Sequence, residues 1–258
     1  MSCVALLGSL LASGLTTTAN ASDDATREVG AWGIGDYGDT DNYGDIMADD
    51  DAEGFVDGIA DNTDYDTQDL RQNDSCYEVH LKEYGNGNGN DLYSFDKSDI
   101  VYFGGHGTYH LLVFNTALDG HFLSPLDVRW GNDDGDWMMI GACYWMGNNS
   151  SATYFEWDKE MMAGLHSLHG YCVPMEDVGY EHGYDIGECL AGDFDGDIRT
   201  FRYTWKRIEG WYQDADKTVR SFHGEGCDDE YVPGIGSYHM GDPEPYPDGD
   251  LYVETTVV

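Results

Sequence analysis

Two short runs of unbroken apolar sequence limit this chain more than any other feature. Residues 100–103 read Ile-Val-Tyr-Phe and residues 137–140 read Trp-Met-Met-Ile. Neither run alternates with polar residues, so neither leaves one face to water. Such runs are interior strands of a parallel sheet covered by helices on both faces. Each gives way at once to small residues: Gly104-Gly105-His106-Gly107 after the first, Gly141-Ala142-Cys143 after the second. Two strands therefore end, at their carboxyl edge, in a histidine and a cysteine flanked by glycine or alanine. Open α/β sheets build their sites along that edge.

The flanking sequence supplies the other elements of such a fold. A strand is expected around Val29–Ile34. A helix is expected over 46–60, with Ile46, Met47, Phe55, Val56 and Ile59 on one face and acids in its first half, where the dipole favours them. Residues 61–75 read as polar loop, Tyr77–Glu83 as a half-buried strand, and GNGNGN at 85–90 as a turn. A helix around Ala152–Ala163, a third buried strand over Leu165–Val173, a short helix over 184–192 and a longer one over 198–212 follow. That last helix carries four of the twelve basic residues. The end of the chain is Gly/Pro-rich and closes on the strand-like LYVETTVV.

Charge narrows the function classes. The chain has 12 Lys and Arg against 50 Asp and Glu, a formal charge of −38. Neutralising nucleic-acid phosphates needs a basic face, and docking on an anionic membrane needs Lys/Arg clusters; neither fits. Disorder is the usual meaning of such charge, but 41% hydrophobic and 14% aromatic residues suffice for a core. Carboxylates spread along the whole chain repel at ordinary ionic strength and are screened at molar salt, where the Debye length is about 3 Å. The composition therefore reads as adaptation to high salt, with calcium loading of a secreted protein as the alternative.

Residues 4–15, VALLGSLLASGL, followed by Ala19-Asn20-Ala21, read as a signal-peptide core and cleavage site, although no basic residue precedes them. The expected organisation is a signal at 1–22, an α/β domain at 23–230 and an extension at 231–258. The expected location is secreted or cell-surface. Of six cysteines, Cys3 falls in the signal, leaving Cys76, Cys143, Cys172, Cys189 and Cys227. Four of these suffice for two disulfides of open connectivity, with Cys143 as the leftover thiol.

A thiol-based hydrolase needs a nucleophile, a base within reach and donors for an oxyanion. His106 and Cys143 meet the first two conditions if their strands are neighbours. This arrangement resembles the caspase-like peptidases of clan CD, whose pattern is an apolar block before His-Gly and a second before Ala/Ser-Cys. Here it stands as DIVYFGGHGT and WMMIGACYW. The resemblance implies His106 as base and acid, Cys143 as nucleophile, and an oxyanion hole from the backbone amides of Gly107 and Cys143. It implies a caspase-like (Rossmann-like) three-layer α/β sandwich with a mostly parallel sheet. It implies a peptide or protein substrate and no cofactor. The chain is similar, over roughly residues 29–225, to an uncharacterised family of exported proteins catalogued as a domain of unknown function with a caspase-like core. Many of those relatives carry an acid two residues before the cysteine, where this chain has Gly141. The alternative function is a non-catalytic, disulfide-braced interaction domain with a degenerate dyad.

His106 and His110 form HxxxH, and His166 and His169 form HxxH with His182 nearby, but neither pair reads as helical, so no metal site is expected from them. Asp193, Asp195 and Asp197 resemble part of a calcium loop without its sixth-position glycine or twelfth-position glutamate. Asn73, Asn148 and Asn149 begin glycosylation sequons. Tyr144, Trp145, Tyr154, Phe155 and Trp157 either wall a cleft beside Cys143 or pack in the core.

Overall fold

The computed structural model describes residues 26–38, 43–115, 120–147, 161–194, 196–197, 199–227, 229–232 and 251–258. The segment read as a signal, Cys3, most of the helix expected at 152–163, residues 148–150, Tyr154, Phe155, Trp157 and Asp195 lie outside these.

The organising element is a seven-stranded sheet. In chain order its strands are β1 (Glu28–Gly33), β2 (Asp66–Gln72), β3 (Ile100–Gly104), β7 (Trp137–Gly141), β8 (Ser167–Tyr171), β9 (Thr218–His223) and β10 (Tyr252–Val257). Their spatial order is β10-β9-β8-β7-β3-β1-β2. The pairs β2–β1, β1–β3, β3–β7 and β7–β8 are parallel, whereas β9 and β10 are antiparallel additions at one edge. A small sheet, β4 (Gly107–Thr108), β5 (Leu111–Val113) and β6 (Phe122–Leu123), grows directly out of the end of β3. The protein is thus a mixed α/β structure around a mostly parallel sheet. Among the described residues no helix is long and apolar enough to cross a membrane.

Alternation along each strand sorts the core into two layers. Ile100, Tyr102, Trp137 and Met139 face one cluster, and Val101, Phe103, Met138 and Ile140 face the other. The first layer is covered by helices α1 (Ala48–Ala60), α2 (Tyr180–Ala191) and α3 (Phe201–Tyr212) through Phe55, Val56, Ile59, Ile186, Leu190, Trp205 and Ile208. The second is covered, among the described residues, by irregular chain and the small sheet, with Trp130, Trp145, Phe95 and Phe114 buried beneath. Among the described residues the helices α1, α2 and α3 lie on one face, and most of the helix expected at 152–163 falls outside those residues. The other face buries its aromatics under turns.

Several expectations require correction. Tyr77–Glu83 is not a strand but contains a single 3-10 turn, Glu78–His80. Four successive residues there, Glu78 to Leu81, are buried, which no half-exposed strand allows. The His80 ring nitrogen closes the turn by accepting the Tyr77 N–H at 3.2 Å. Residues 61–75, read as loop, contain β2. It lies at the sheet edge, where polar side chains are tolerated and guard against further pairing, so it carries no apolar alternation. The strand expected in the terminal LYVETTVV is present as β10, which pairs with β9 from Tyr252↔His223 to Val257↔Thr218.

Helices α1 and α2 approach until backbone meets backbone. Gly54 and Gly58 of α1 face Gly183 and Gly187 of α2, and a methyl at any of them would collide with backbone of the facing helix. The four-residue spacing puts each pair on one helix face.

Candidate functional site

Strand register places His106 and Cys143 just beyond the ends of neighbouring parallel strands. Gly104 of β3 pairs with Gly141 of β7, and Gly105 N–H donates to Gly141 O at 3.1 Å. Each residue lies two positions beyond its glycine, on adjacent parallel strands, at the carboxyl edge. Gly107 lets the two strand ends touch. A Cβ there would stand 2.6 Å from the Cys143 carbonyl oxygen and 2.9 Å from Ala142 Cβ. Its missing side chain makes room for the neighbouring strand end rather than for a substrate.

His106 is held on three sides. Its backbone N–H donates to Tyr37 Oη at 2.7 Å, and that hydroxyl donates to Val113 O at 3.2 Å. Its ring packs against Tyr37 and Tyr43, with centroids 4.7 and 5.2 Å away. Its Nε2 lies 2.8 Å from the Gly44 carbonyl oxygen, a group that only accepts. Nε2 therefore carries the proton, and in the neutral ring Nδ1 is the free base.

Cys143 is a half-buried free thiol. Its Sγ accepts the Met175 N–H at 3.4 Å. Burial raises the thiol above its ordinary range, against the lowering pull of that N–H and of the Lys217 ammonium, which pairs with Glu176 at 2.8 Å. No hydrogen bond joins His106 to Cys143 among the described residues. The register brings them to neighbouring strand ends without pre-forming an ion pair. Tyr144, the next residue, takes a left-handed φ of 57°, a conformation that costs energy for a non-glycine residue. Its ring packs on Tyr109 at 4.9 Å, while Trp145 is buried in the core.

Beneath this edge, on the helical face, lies a closed polar network. Tyr102 Oη donates to Asp51. His182 bridges Asp51 at 2.8 Å and Glu209 at 3.1 Å, and Tyr171 Oη donates to Glu209. Burial and the Asp51 charge push the Glu209 carboxyl well up. The network explains Gly141: a side chain there would run into Tyr102 Oη, with Asp51 behind it.

The His110 and His169 rings have separate partners. His169 bonds Ser167 and Ser221, and burial lowers its pKa to about 3. His110 also sits low through burial, with its ring bonded to the Trp145 backbone. Asp197 pairs with Arg199 at 2.8 Å. None of the five described cysteines forms a disulfide, contrary to expectation. Cys76 and Cys189 lie in core layers on opposite sides of the sheet, so these two cannot meet. Sequence reasoning missed Tyr37, Tyr43 and Gly44, which lie between the first strand and the first helix. Tyrosines spaced through a glycine loop after the first strand were the available signal.

A family model described as a domain of unknown function (DUF6345) matches residues 31–232. The chain belongs to the DUF6345 family. The matched span starts within β1 and ends just past Glu230, so it takes in both strand ends of the site. No curated protein matches the chain.

Proposed function

We propose that this DUF6345 protein is an exported cysteine hydrolase of the peptidase kind, adapted to high salt, working through His106 and Cys143 on a caspase-like core. The observation that carries the reading is the register. A histidine and a cysteine stand two residues beyond paired glycines on adjacent parallel strands. The Nε2–H to Gly44 bond supports it further by leaving Nδ1 to act as base.

The chemistry follows from the groups present. A raised thiol in a half-buried place stays protonated until a substrate carbonyl is bound. His106 Nδ1 then takes the Sγ proton as sulfur attacks the carbonyl carbon. The backbone N–H groups of Gly107 and Cys143 receive the oxyanion. The imidazolium gives its proton to the leaving amine, and a thioester remains. Water, deprotonated by the same nitrogen, hydrolyses the thioester and restores the thiol.

The test is peptide-library hydrolysis in molar salt by the wild type and by Cys143→Ala, with circular dichroism to verify folding. Loss of all cleavage in a folded Cys143→Ala variant supports the assignment; surviving cleavage removes it. A second reading rests on the Met175 N–H that Cys143 engages in place of His106. In it the domain binds partners and keeps both residues without chemistry. A wild type that cleaves nothing, with an unreactive Cys143, favours this second reading.

A further inference from the structure

At the opposite, amino edge of the sheet, three ligands of unlike chemistry converge. His166 immediately precedes β8, and Cys227 and Glu230 follow β9. One donor atom from each lies within 4.8 Å of the other two, and all three residues are buried. We propose that His166, Cys227 and Glu230 bind one thiophilic divalent ion of the zinc class, which anchors the segment after β9 to the sheet.

The donor set selects the metal. An imidazole nitrogen, a thiolate and one carboxylate suit zinc, whereas calcium and magnesium take oxygen alone. His166 Nδ1 stands 3.1 and 3.0 Å from the two Glu230 oxygens. Donors on a tetrahedral ion with bonds of about 2.0–2.3 Å sit only slightly further apart, so small shifts admit it.

The surroundings are those of a metal ligand set rather than of three residues alone. Trp137 Nε1–H donates to Glu230 Oε2 at 2.8 Å and orients the carboxylate. With Nδ1 on the metal, His166 Nε2–H faces Asp136, whose oxygen lies 3.7 Å away. A carboxylate behind a ligating imidazole fixes its ring and raises its basicity. The backbone is already tied down. Gly224 N–H donates to His166 O at 3.0 Å, Cys227 N–H to Gly224 O at 3.1 Å, and Phe201 N–H to Glu230 O at 3.0 Å. Such burial leaves no access for a substrate, so the role is structural. The HxxH spacing of His166 and His169 gave no metal site; the fold gives His166 a cysteine and a glutamate distant in sequence.

The test uses the full chain, stripped with chelator and titrated in molar KCl with Zn²⁺ or Co²⁺, with excess Mg²⁺ to occupy surface carboxylates. The expected result is uptake of one ion per chain, a thiolate-to-cobalt charge-transfer band, and a raised melting temperature. The band should vanish in Cys227→Ala and persist in Cys143→Ala. No band with the folded wild type, or an unchanged band in Cys227→Ala, overturns the proposal. If Cys227→Ala does not fold, alkylation mapping of the wild type decides. Cys227 should be protected by Zn²⁺ and labelled after chelation, and equal labelling in both states overturns the site.

Discussion

Replacing Gly187 by Ala adds one methyl where α1 and α2 touch. That methyl would lie 2.6 Å from Phe55 O, 2.8 Å from the Gly58 carbonyl carbon and 2.8 Å from Ile59 N. Ordinary contact begins near 3.4 Å, so the helices must part by about 0.8 Å, and no flexible side chain can absorb it. Overpacking of this kind costs about 1–3 kcal/mol. The same movement stretches the buried His182–Asp51 bond from 2.8 Å, and a hydrogen bond to a charged group contributes about 1.5–3 kcal/mol. Alanine's better helix propensity returns about 1 kcal/mol. The expected net loss is about 1.5–5 kcal/mol, read as a lower urea midpoint at fixed high salt. Gly210→Ala, in α3 with open space around it, is the control and should stabilise by about 0.5–1 kcal/mol. If Gly187→Ala stabilises as Gly210→Ala does, the helix contact does not carry the packing described here.

Other outcomes follow from the same geometry. Asp99 accepts the Glu28 N–H and faces Glu28, Asp134 and Asp136; burial, then these charges, push it from 3.8 up to about 8. The folded state therefore holds a proton that the unfolded chain has lost. Stability should fall by a few kcal/mol as pH rises from about 4 to about 8 and then level off. Asp99→Asn should flatten that slope in pH-dependent melts, and an unchanged slope would place the titrating group elsewhere. Tyr37→Phe removes the acceptor of the His106 N–H and the donor to Val113 O. It should cost about 1–3 kcal/mol and weaken any hydrolytic activity more than it alters the fold, since a buried polar group loses its partner. With a formal charge of −38, the melting temperature should climb steeply from low to molar KCl; a salt-independent melt would contradict the high-salt reading.

Legibility in the sequence followed local chemistry. The strands at 100–104 and 137–141 were readable because four unbroken apolar residues tolerate no other burial. The helices over 48–60 and 201–212 were readable from apolar spacing, to within three residues at their starts. β2 was hidden because an edge strand needs no apolar alternation, and β9 (TVRSFH) because Arg220 interrupts it. That arginine reaches the Met146 carbonyl at 2.6 Å, a contact 74 residues away that no local pattern announces. At the site, His106 and Cys143 were legible from the strand ends. Gly44, Tyr37, the Asp51–His182–Glu209 network and the His166–Cys227–Glu230 cluster were not, because each is assembled by tertiary contacts between distant segments. The glycines of the two helices were visible as residues, but their pairing required the helices to be seen side by side.

Cys172 offers an internal standard for the central claim. Like Cys143 it is a half-buried free thiol at the carboxyl edge, raised by burial, just past the end of β8, the strand next to β7. It has no histidine from a neighbouring strand end. The decisive measurement is the rate at which a peptidyl electrophile labels each cysteine in the wild type and in His106→Gln, read by mass spectrometry in molar salt. A hydrolytic dyad predicts that Cys143 reacts at least tenfold faster than Cys172, and that His106→Gln brings the two rates together. Equal rates in the wild type, or a Cys143 rate indifferent to His106, would contradict it.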